Sequence, residues 1–229
     1  MRYGQFCPVA KAAEVLGERW TLLVLRELVA GATRYAELQR GLGRISPSVL
    51  SARLRALVDH GLLERVPGSG PHGWEYKLTP AGAELAPVME KIGVWGQRWV
   101  RSRMTPDELD VELLMLNVQR YFDGRAFKGD GVIGFVFSDL HGTKRRWWLL
   151  VDRGETELCV QSPGRADDVT LTCRVRTLAE IFSGDTTFQA ARATHRLELR
   201  GSEKFVRSAD RWLRTSPLAL VAPAHPRAT

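Results

Sequence analysis

The stretch RYAELQRGLGRISPSVLSARLRALVDHGLLER, Arg34 to Arg65, constrains this chain more than any other. It divides at Gly41-Leu42-Gly43 into two segments with helical spacing of apolar residues. Thr33 suits the N-cap of the first, which turns Tyr35, Leu38 and Leu42 inward. Ser46-Pro47 opens the second. The hydroxyl can accept from a free backbone N–H, and the proline's missing N–H costs nothing at a first helical position. Leu50, Leu54 and Leu57, spaced by four and three, fall on one side. The other side carries Ser48, Ser51, Ala52 and Arg55, with Arg53 at its margin. Small residues let a backbone approach base pairs, and arginine bonds a guanine edge or a phosphate. Two helices with a glycine turn between them, the second bearing such a face, form a helix-turn-helix that suits a DNA major groove. An ordinary helix with a solvated polar face would carry the same residues, so the flanks have to decide.

After Gly61, Leu62-Leu63-Glu64-Arg65-Val66 reads as a strand. Pro67-Gly68-Ser69-Gly70-Pro71-His72-Gly73 is a hairpin tip, and Trp74-Glu75-Tyr76-Lys77-Leu78 returns as a second strand. A helix-turn-helix followed at once by a β-hairpin is a winged helix, whose tip can lie along a neighbouring groove or phosphate ridge. A phosphate-cradling loop is the other use of such a tip. That reading lacks the G-x-x-x-x-G-K-[ST] pattern and a helix directly after it. The candidate DNA contacts are therefore Arg34, Ser46, Ser48, Ser51, Ala52, Arg53 and Arg55, with Arg65, His72 and Lys77 on the wing.

Residues 9–29 show helical spacing interrupted by Gly17, with Val15, Leu16, Trp20, Leu23, Val24 and Leu28 inward and Gly31 as C-cap. Thr79-Pro80 starts a long helix expected to reach about Arg103. It carries Leu85, Val88, Met89, Ile92, Trp95 and Trp99 on a mainly apolar stripe, with Gly93 and Gly96 weakening it. A helix this apolar outside a small domain needs a covering surface. A second copy of the chain would match a two-half-site operator; the second half of the same chain is the alternative.

Three runs, CPVAKAAEVLGERWTLLVLREL, RYAELQRGLGRISPSVLSARLRALVDHGLLER and WEYKLTPAGAELAPVMEKIGVWG, resemble the HxlR family of bacterial winged-helix transcription regulators over about residues 5–100. The resemblance implies binding to a double-stranded DNA operator as a homodimer joined through the N- and C-terminal helices of the domain. Some members sense oxidants or electrophiles through a cysteine near the N-terminus, and Cys7 stands in the matching CPV motif as a redox candidate. A reactive thiol needs exposure and a stabilised thiolate, which Arg2 and Lys11 could favour. A small hydrophobe buried at a dimer contact is the other role.

Charge agrees with a phosphate-binding first half. Residues 1–103 hold 15 Lys+Arg against 9 Asp+Glu, whereas residues 104–229 hold 18 against 17. The surplus behind the net charge of +7 thus sits with the helix-turn-helix, although a charge kept for solubility would look alike. No apolar run reaches the roughly 18 residues that span a bilayer. The segment MRYGQFCPVAKAAEVLG lacks the apolar core of a signal peptide, so a cytoplasmic protein with no membrane partner is expected. Cys7, Cys159 and Cys173 give neither a disulfide framework nor zinc spacing.

In the second half, Thr105-Pro106-Asp107-Glu108 is a capping box opening a helix to about Tyr121, which puts a domain junction at 101–105. Strand-like runs follow at Val132–Phe137, Arg145–Val151, Thr156–Gln161 and Val169–Val175, with short turns that argue for an antiparallel meander. Short helices are expected at Thr177–Phe182 and Thr187–Ala193, a strand at Leu197–Leu199, and a final helix over about Glu203–Arg214. The tail from Pro217 reads as poorly ordered past its apolar beginning. The segment DDVTLTCRVRTLAEIFSGDTTFQAARATHRLELRGSEKFVRSADRWL resembles the sterol-carrier-protein type-two fold. That resemblance implies an apolar tunnel for a lipid or other small hydrophobic ligand, with Phe135, Phe137, Trp148, Leu178, Ile181, Phe182, Phe188 and Trp212 as lining candidates. Solid core is the plainer role for the same aromatics.

Nothing points to catalysis. The histidines are scattered, and HExxH, GxSxG and paired Cys/His motifs are missing. Asp167-Asp168 suits a cation or a turn into the next strand, and Lys144-Arg145-Arg146 is a basic cluster beside two tryptophans. No cofactor and no metal are expected. The expected fold is α+β. Residues 1–103 form a winged helix-turn-helix domain for DNA binding and dimerisation. Residues 104–229 form a sterol-carrier-like domain whose antiparallel sheet is covered by helices and serves a ligand or assembly. The expected function is a dimeric, sequence-specific transcription regulator. The alternatives are a redox-sensing regulator acting through Cys7 and a lipid-binding protein with only nonspecific DNA affinity.

Overall fold

The structure is a computed structural model that describes residues 3–68, 73–100 and 108–224. The chain divides into two compact units between Trp95 and Gly96.

In the first unit, α1 (Pro8–Leu16) and α2 (Thr21–Val29) replace the single segment expected over 9–29. The helix stops at Gly17, and Trp20 takes a left-handed φ of 76° before α2 begins. The kink resets the helical phase. Val24, Leu25 and Leu28 face the core, and Leu23, expected inward, is 40% exposed. α3 (Tyr35–Leu42) is capped one residue later than Thr33 suggested. Glu37 Oε2 accepts from the backbone N–H groups of both Thr33 and Arg34, at 3.0 Å each. The capping carboxylate thus comes from within the helix and reaches back to the two residues ahead of it.

Gly43, with φ +55°, ends α3 as a turn glycine should. Gly41 has another role. A Cβ there would lie 2.2 Å from Glu27 Oε2, so the helix can approach α2 only where a side chain is missing. α4 (Pro47–Asp59) opens as expected, with Ser46 Oγ accepting from Val49 N–H, and buries Leu50, Leu54 and Leu57. β1 (Leu63–Pro67) and β2 (Trp74–Leu78) form an antiparallel hairpin in the register Leu63↔Leu78 to Pro67↔Trp74.

The long helix expected from Thr79 is two helices, α5 (Pro80–Ala83) and α6 (Ala86–Trp99). Pro87 is the cause: it has no N–H to donate to the carbonyl four residues back, so the first helix cannot run on. No residue of α6 is buried, although Leu85 and Met89 pack against the first unit's core. The last residues of the expected helix, 101–103, lie outside the described residues, as do Thr105-Pro106-Asp107 of the expected capping box.

In the second unit, α7 (Val111–Arg120) starts with Asp110, whose Oδ1 accepts from Glu112 and Leu113 N–H. A short α8 (Gly124–Phe127) leads to β3 (Gly131–Phe137), β4 (Arg146–Asp152), β5 (Glu155–Cys159) and β6 (Val169–Cys173). Then follow α9 (Val175–Phe182), α10 (Phe188–Ala193), β7 (Leu197–Gly201), α11 (Glu203–Arg207) and α12 (Ala209–Trp212). The final helix expected over 203–214 is thus interrupted at Ser208, whose hydroxyl bonds back to Lys204 O at 3.0 Å. Pro217–Leu220, at the start of the tail, form a 3₁₀ turn.

The sheet order is β5-β4-β3-β6-β7. β5-β4-β3 is an antiparallel meander and β6–β7 is antiparallel, but β3 and β6 run parallel. The uniformly antiparallel sheet expected from short turns is therefore corrected to a mixed one. The reason is the connection 160–168, which carries the chain from the β5 edge across two strands to the free side of β3. Ile133, Phe135, Phe137, Leu149 and Leu171 point to a core shared with Met115, Val118, Leu178, Ile181 and Trp212. Asp167 lies on the opposite face, over Gly134, where a Cβ would meet its Oδ2 at 1.8 Å.

Candidate nucleic-acid interface

The leucine side of α4 is sealed into the core, so its other side is what the first unit offers outward. Ser46, Ser48 and Arg55 are exposed, and Ser51, Ala52 and Arg53 are half-buried. Ser46 and Ser48 hydroxyls lie 3.2 Å apart. Arg55 lies along its own helix, Nε donating to Ser51 O at 3.4 Å.

Arg53 is turned away from that face. Its Nη1 donates to Glu18 Oε2 at 3.2 Å, and its Nε is enclosed with no hydrogen-bond partner. It borders a 200 Å³ cavity shared with Glu14, Thr21 and His60 behind the helix. The Glu14 carboxyl there is held below the usual range by the Tyr3 N–H and by Lys11. Helical spacing placed Arg53 at the margin, and the carboxylate on the α1–α2 turn decided which way it went.

Tyr35, read from sequence only as an inward apolar residue, fastens the start of α4. Its hydroxyl donates to Pro47 O at 2.9 Å and accepts from Ser51 Oγ at 3.4 Å. Ser51 is left with acceptor lone pairs toward solvent. Nothing in the sequence pairs Tyr35 with residues 12 and 16 positions on; only the fold does.

Around this helix the structure gathers more cations. Arg34 is exposed, bridges to Glu75 of β2, and carries its Nε 3.6 Å from Glu75 Oε1. Arg40 and Arg44, exposed on α3 and in the turn before α4, join it. On the wing, the Arg65 guanidinium sits over the Trp74 ring, 4.1 Å from its centroid, and Lys77 is exposed on the other face, opposite Glu64. His72 lies outside the described residues.

Seven of the eight ligand candidates belong to one core, and Trp148 lies on the other side of the sheet. Phe135, Phe137, Leu178, Ile181 and Trp212 are buried in the second unit's core, with Phe182 and Phe188 half-buried against it. Trp148 is across the sheet, donating Nε1–H to Asp167 Oδ1 at 3.0 Å, because it pairs with Gly134 while Phe135 pairs with Trp147. A groove of about 660 Å³ on the second unit is lined by Asp130, Leu150, Asp152, Glu155, Glu157 and Arg165 among others, and by none of the eight. Asp167-Asp168 makes internal bonds, to Arg146, Trp148, Thr170 and Val132 N–H. No His/Cys/Asp/Glu cluster able to hold a metal occurs among the described residues. No helix among them is long and apolar enough to cross a membrane.

Of the cysteines, Cys7 is exposed, just ahead of α1. Burial pushes the Cys173 thiol up to about 12 and, with Glu157, raises that of Cys159.

Comparison with known proteins covers the first unit. The HxlR-like helix-turn-helix family model matches residues 15–104. The uncharacterized HTH-type transcriptional regulator YvaP of Bacillus subtilis is 35% identical over 102 residues, 44% of this chain and 94% of that protein. A similar regulator of Mycobacterium tuberculosis, Rv3095, is 46% identical over 93 residues, 40% of this chain and 58% of its own length. This chain therefore spans little more than half of the mycobacterial relatives it matches. The reduced form of the transcriptional regulator YodB from B. subtilis is 29% identical, covering 41% of this chain and 93% of that one at a TM-score of 0.36. Through its N-terminal part, this chain belongs to the HxlR-like helix-turn-helix family.

Proposed function

We propose that the protein is a sequence-specific, double-stranded-DNA-binding transcription regulator that works as a homodimer. The observation that carries the reading is the outward face of α4. Ser46, Ser48, Ser51 and Arg55 lie on a helix anchored by buried Leu50, Leu54 and Leu57, with Arg34, Arg44, Arg65 and Lys77 exposed around it. That is a face for bases with a surround for phosphates. Footprinting on the DNA upstream of its own gene, with unrelated DNA as competitor, tests it. A protected site that survives competitor is expected, and Arg55→Ala should cost about 1–3 kcal/mol there if Arg55 reads a base edge. Uniform, competitor-sensitive binding would leave only the nonspecific alternative.

The homodimer is supported by the helices that flank the helix-turn-helix on either side, α1 and α6. Neither α1 nor α6 buries a residue, and both are apolar. The boundaries 1–103 and 104–229 remain our functional division. The second unit is read as the modulating or assembly half, on the sterol-carrier-like motifs of its sequence. A hydrophobic ligand there would have to enter beside Phe182 and Phe188, the half-buried members of the core. A redox response through Cys7 is favoured by that thiol's exposure; Cys7→Ser would then bind DNA normally and ignore oxidants.

A further inference from the structure

We propose that Trp74 is a positioning residue of the DNA interface, holding the Arg65 guanidinium in a fixed plane so that its edge meets a backbone phosphate of duplex DNA. This rests on the DNA-binding reading above and adds a residue to it.

The hairpin register creates the pair. Arg65 is opposite Tyr76 and Pro67 is opposite Trp74, so all four side chains stand on one face of the hairpin, with Arg65 and Trp74 as diagonal neighbours. On the same face Tyr76 and Leu78 pack against the core, which anchors the base of the ribbon. Beyond that anchor Arg65 and Trp74 are exposed, Trp74 by 51%. The guanidinium carbon is 4.1 Å from the ring centroid, well inside cation–π range.

An isolated exposed tryptophan needs no explanation. A cation seated on it has consequences. Arg34 and Arg53 have carboxylate partners, Glu75 at 3.6 Å and Glu18 at 3.2 Å. Arg65 makes no ion pair among the described residues, and its guanidinium lies over the indole. Its N–H groups lie in the guanidinium plane, so stacking leaves the hydrogen-bonding edge unspent and fixes its direction. A phosphate takes such an edge in bidentate fashion. Rotamer freedom is surrendered before binding instead of during it. A phosphate rather than a base is assigned because the pair lies on the wing strands and not on the helix that carries the small residues a base contact needs.

The test is titration of the full-length protein, by fluorescence anisotropy over a range of salt. The probes are a duplex enriched from a random-sequence pool and a scrambled duplex of equal length. Trp74→Ala should weaken binding to both duplexes about two- to five-fold, the worth of an exposed cation–π contact, without changing the salt slope, because the charge remains. Arg65→Ala should lower the slope by about 1. Trp74→Ala placed in the Arg65→Ala protein should have no further effect, and Trp74→Phe should recover part of the loss. Circular dichroism melting checks that each variant is folded, as expected for exposed side chains. The proposal is overturned if Trp74→Ala binds like the wild type, if its loss persists undiminished without Arg65, or if the loss is confined to the enriched duplex. Wild-type protein that binds neither duplex overturns the DNA-binding reading instead, before any variant is compared.

Discussion

Glu27 and Gly41 join the two helices that precede α4 through one close contact. Glu27 is 1% exposed, its carboxylate is paired with Arg26 at 2.7 Å, and Arg26 Nη2 also donates to Gly41 O at 3.1 Å. A buried carboxylate persists only when so paired. The backbone of α3 therefore has to come within reach of the pair, and glycine permits it. Gly41→Ala is expected to destabilise the protein by about 1–3 kcal/mol, as overpacking of a closed site does. Urea denaturation measures it, and unchanged stability would mean that the Glu27 side chain has room to swing aside. The sequence shows Gly41 and Gly43 as a pair of turn glycines, and only Gly43 is one. Residue type announces the freedom of a glycine but not whether conformation or close packing uses it. Tyr35 and Arg53 belong to the same class: their partners, Pro47, Ser51 and Glu18, lie 12 to 35 positions away.

Single elements were more legible, because caps and periodicity act over a few residues. Ser46-Pro47, the spacing of Leu50, Leu54 and Leu57, and the hairpin after Gly61 all emerge where local rules put them. Two breaks depart from helical periodicity: Pro87 splits α5 from α6, and Trp20 takes a left-handed conformation at the start of α2. The start of α8 joins local and distant chemistry. Asp123 caps it through Ala126 N–H at 3.0 Å and also accepts from Arg214 Nη2 at 2.5 Å, 91 positions on. Arg214 first, and the backbone N–H next, hold this carboxyl below its ordinary value. A depressed folded-state pKa contributes stability above the unfolded value, near 4, and the contribution is lost as pH falls through the folded one. Asp123→Asn should therefore be less stable than the wild type at about pH 7, with the gap narrowing as the wild-type carboxyl protonates below about pH 4. Paired urea unfolding curves at the two conditions check this; a constant gap would assign the loss to packing instead of charge.

At the scale of the molecule, the apolar faces of α1 and α6 are the feature that one chain leaves unaccounted for. Phe6 is 99% exposed and Trp95 60%, with Val9, Val88 and Ile92 also open. Specific interfaces bury about 1,200–2,000 Å² around aromatic anchors, and such helices supply them. Trp95→Glu should convert the proposed dimer into a folded monomer, read by sedimentation equilibrium. A protein already monomeric before substitution would end the dimer reading, and an undiminished dimer would move its interface off α6. Sequence alone determined the winged helix-turn-helix, because each of its signals, a cap, a leucine stripe, a glycine stop and a hairpin tip, is contained within a few residues. It also determined that an α+β second half follows. Only the tertiary structure decided that β3 pairs in parallel with β6, that Trp148 and Phe135 face opposite ways, and that Arg53 turns from the recognition face while Arg65 settles on Trp74. Strand order, sheet face and the partner of a long side chain depend on which distant segments meet, and composition and periodicity carry no record of that meeting.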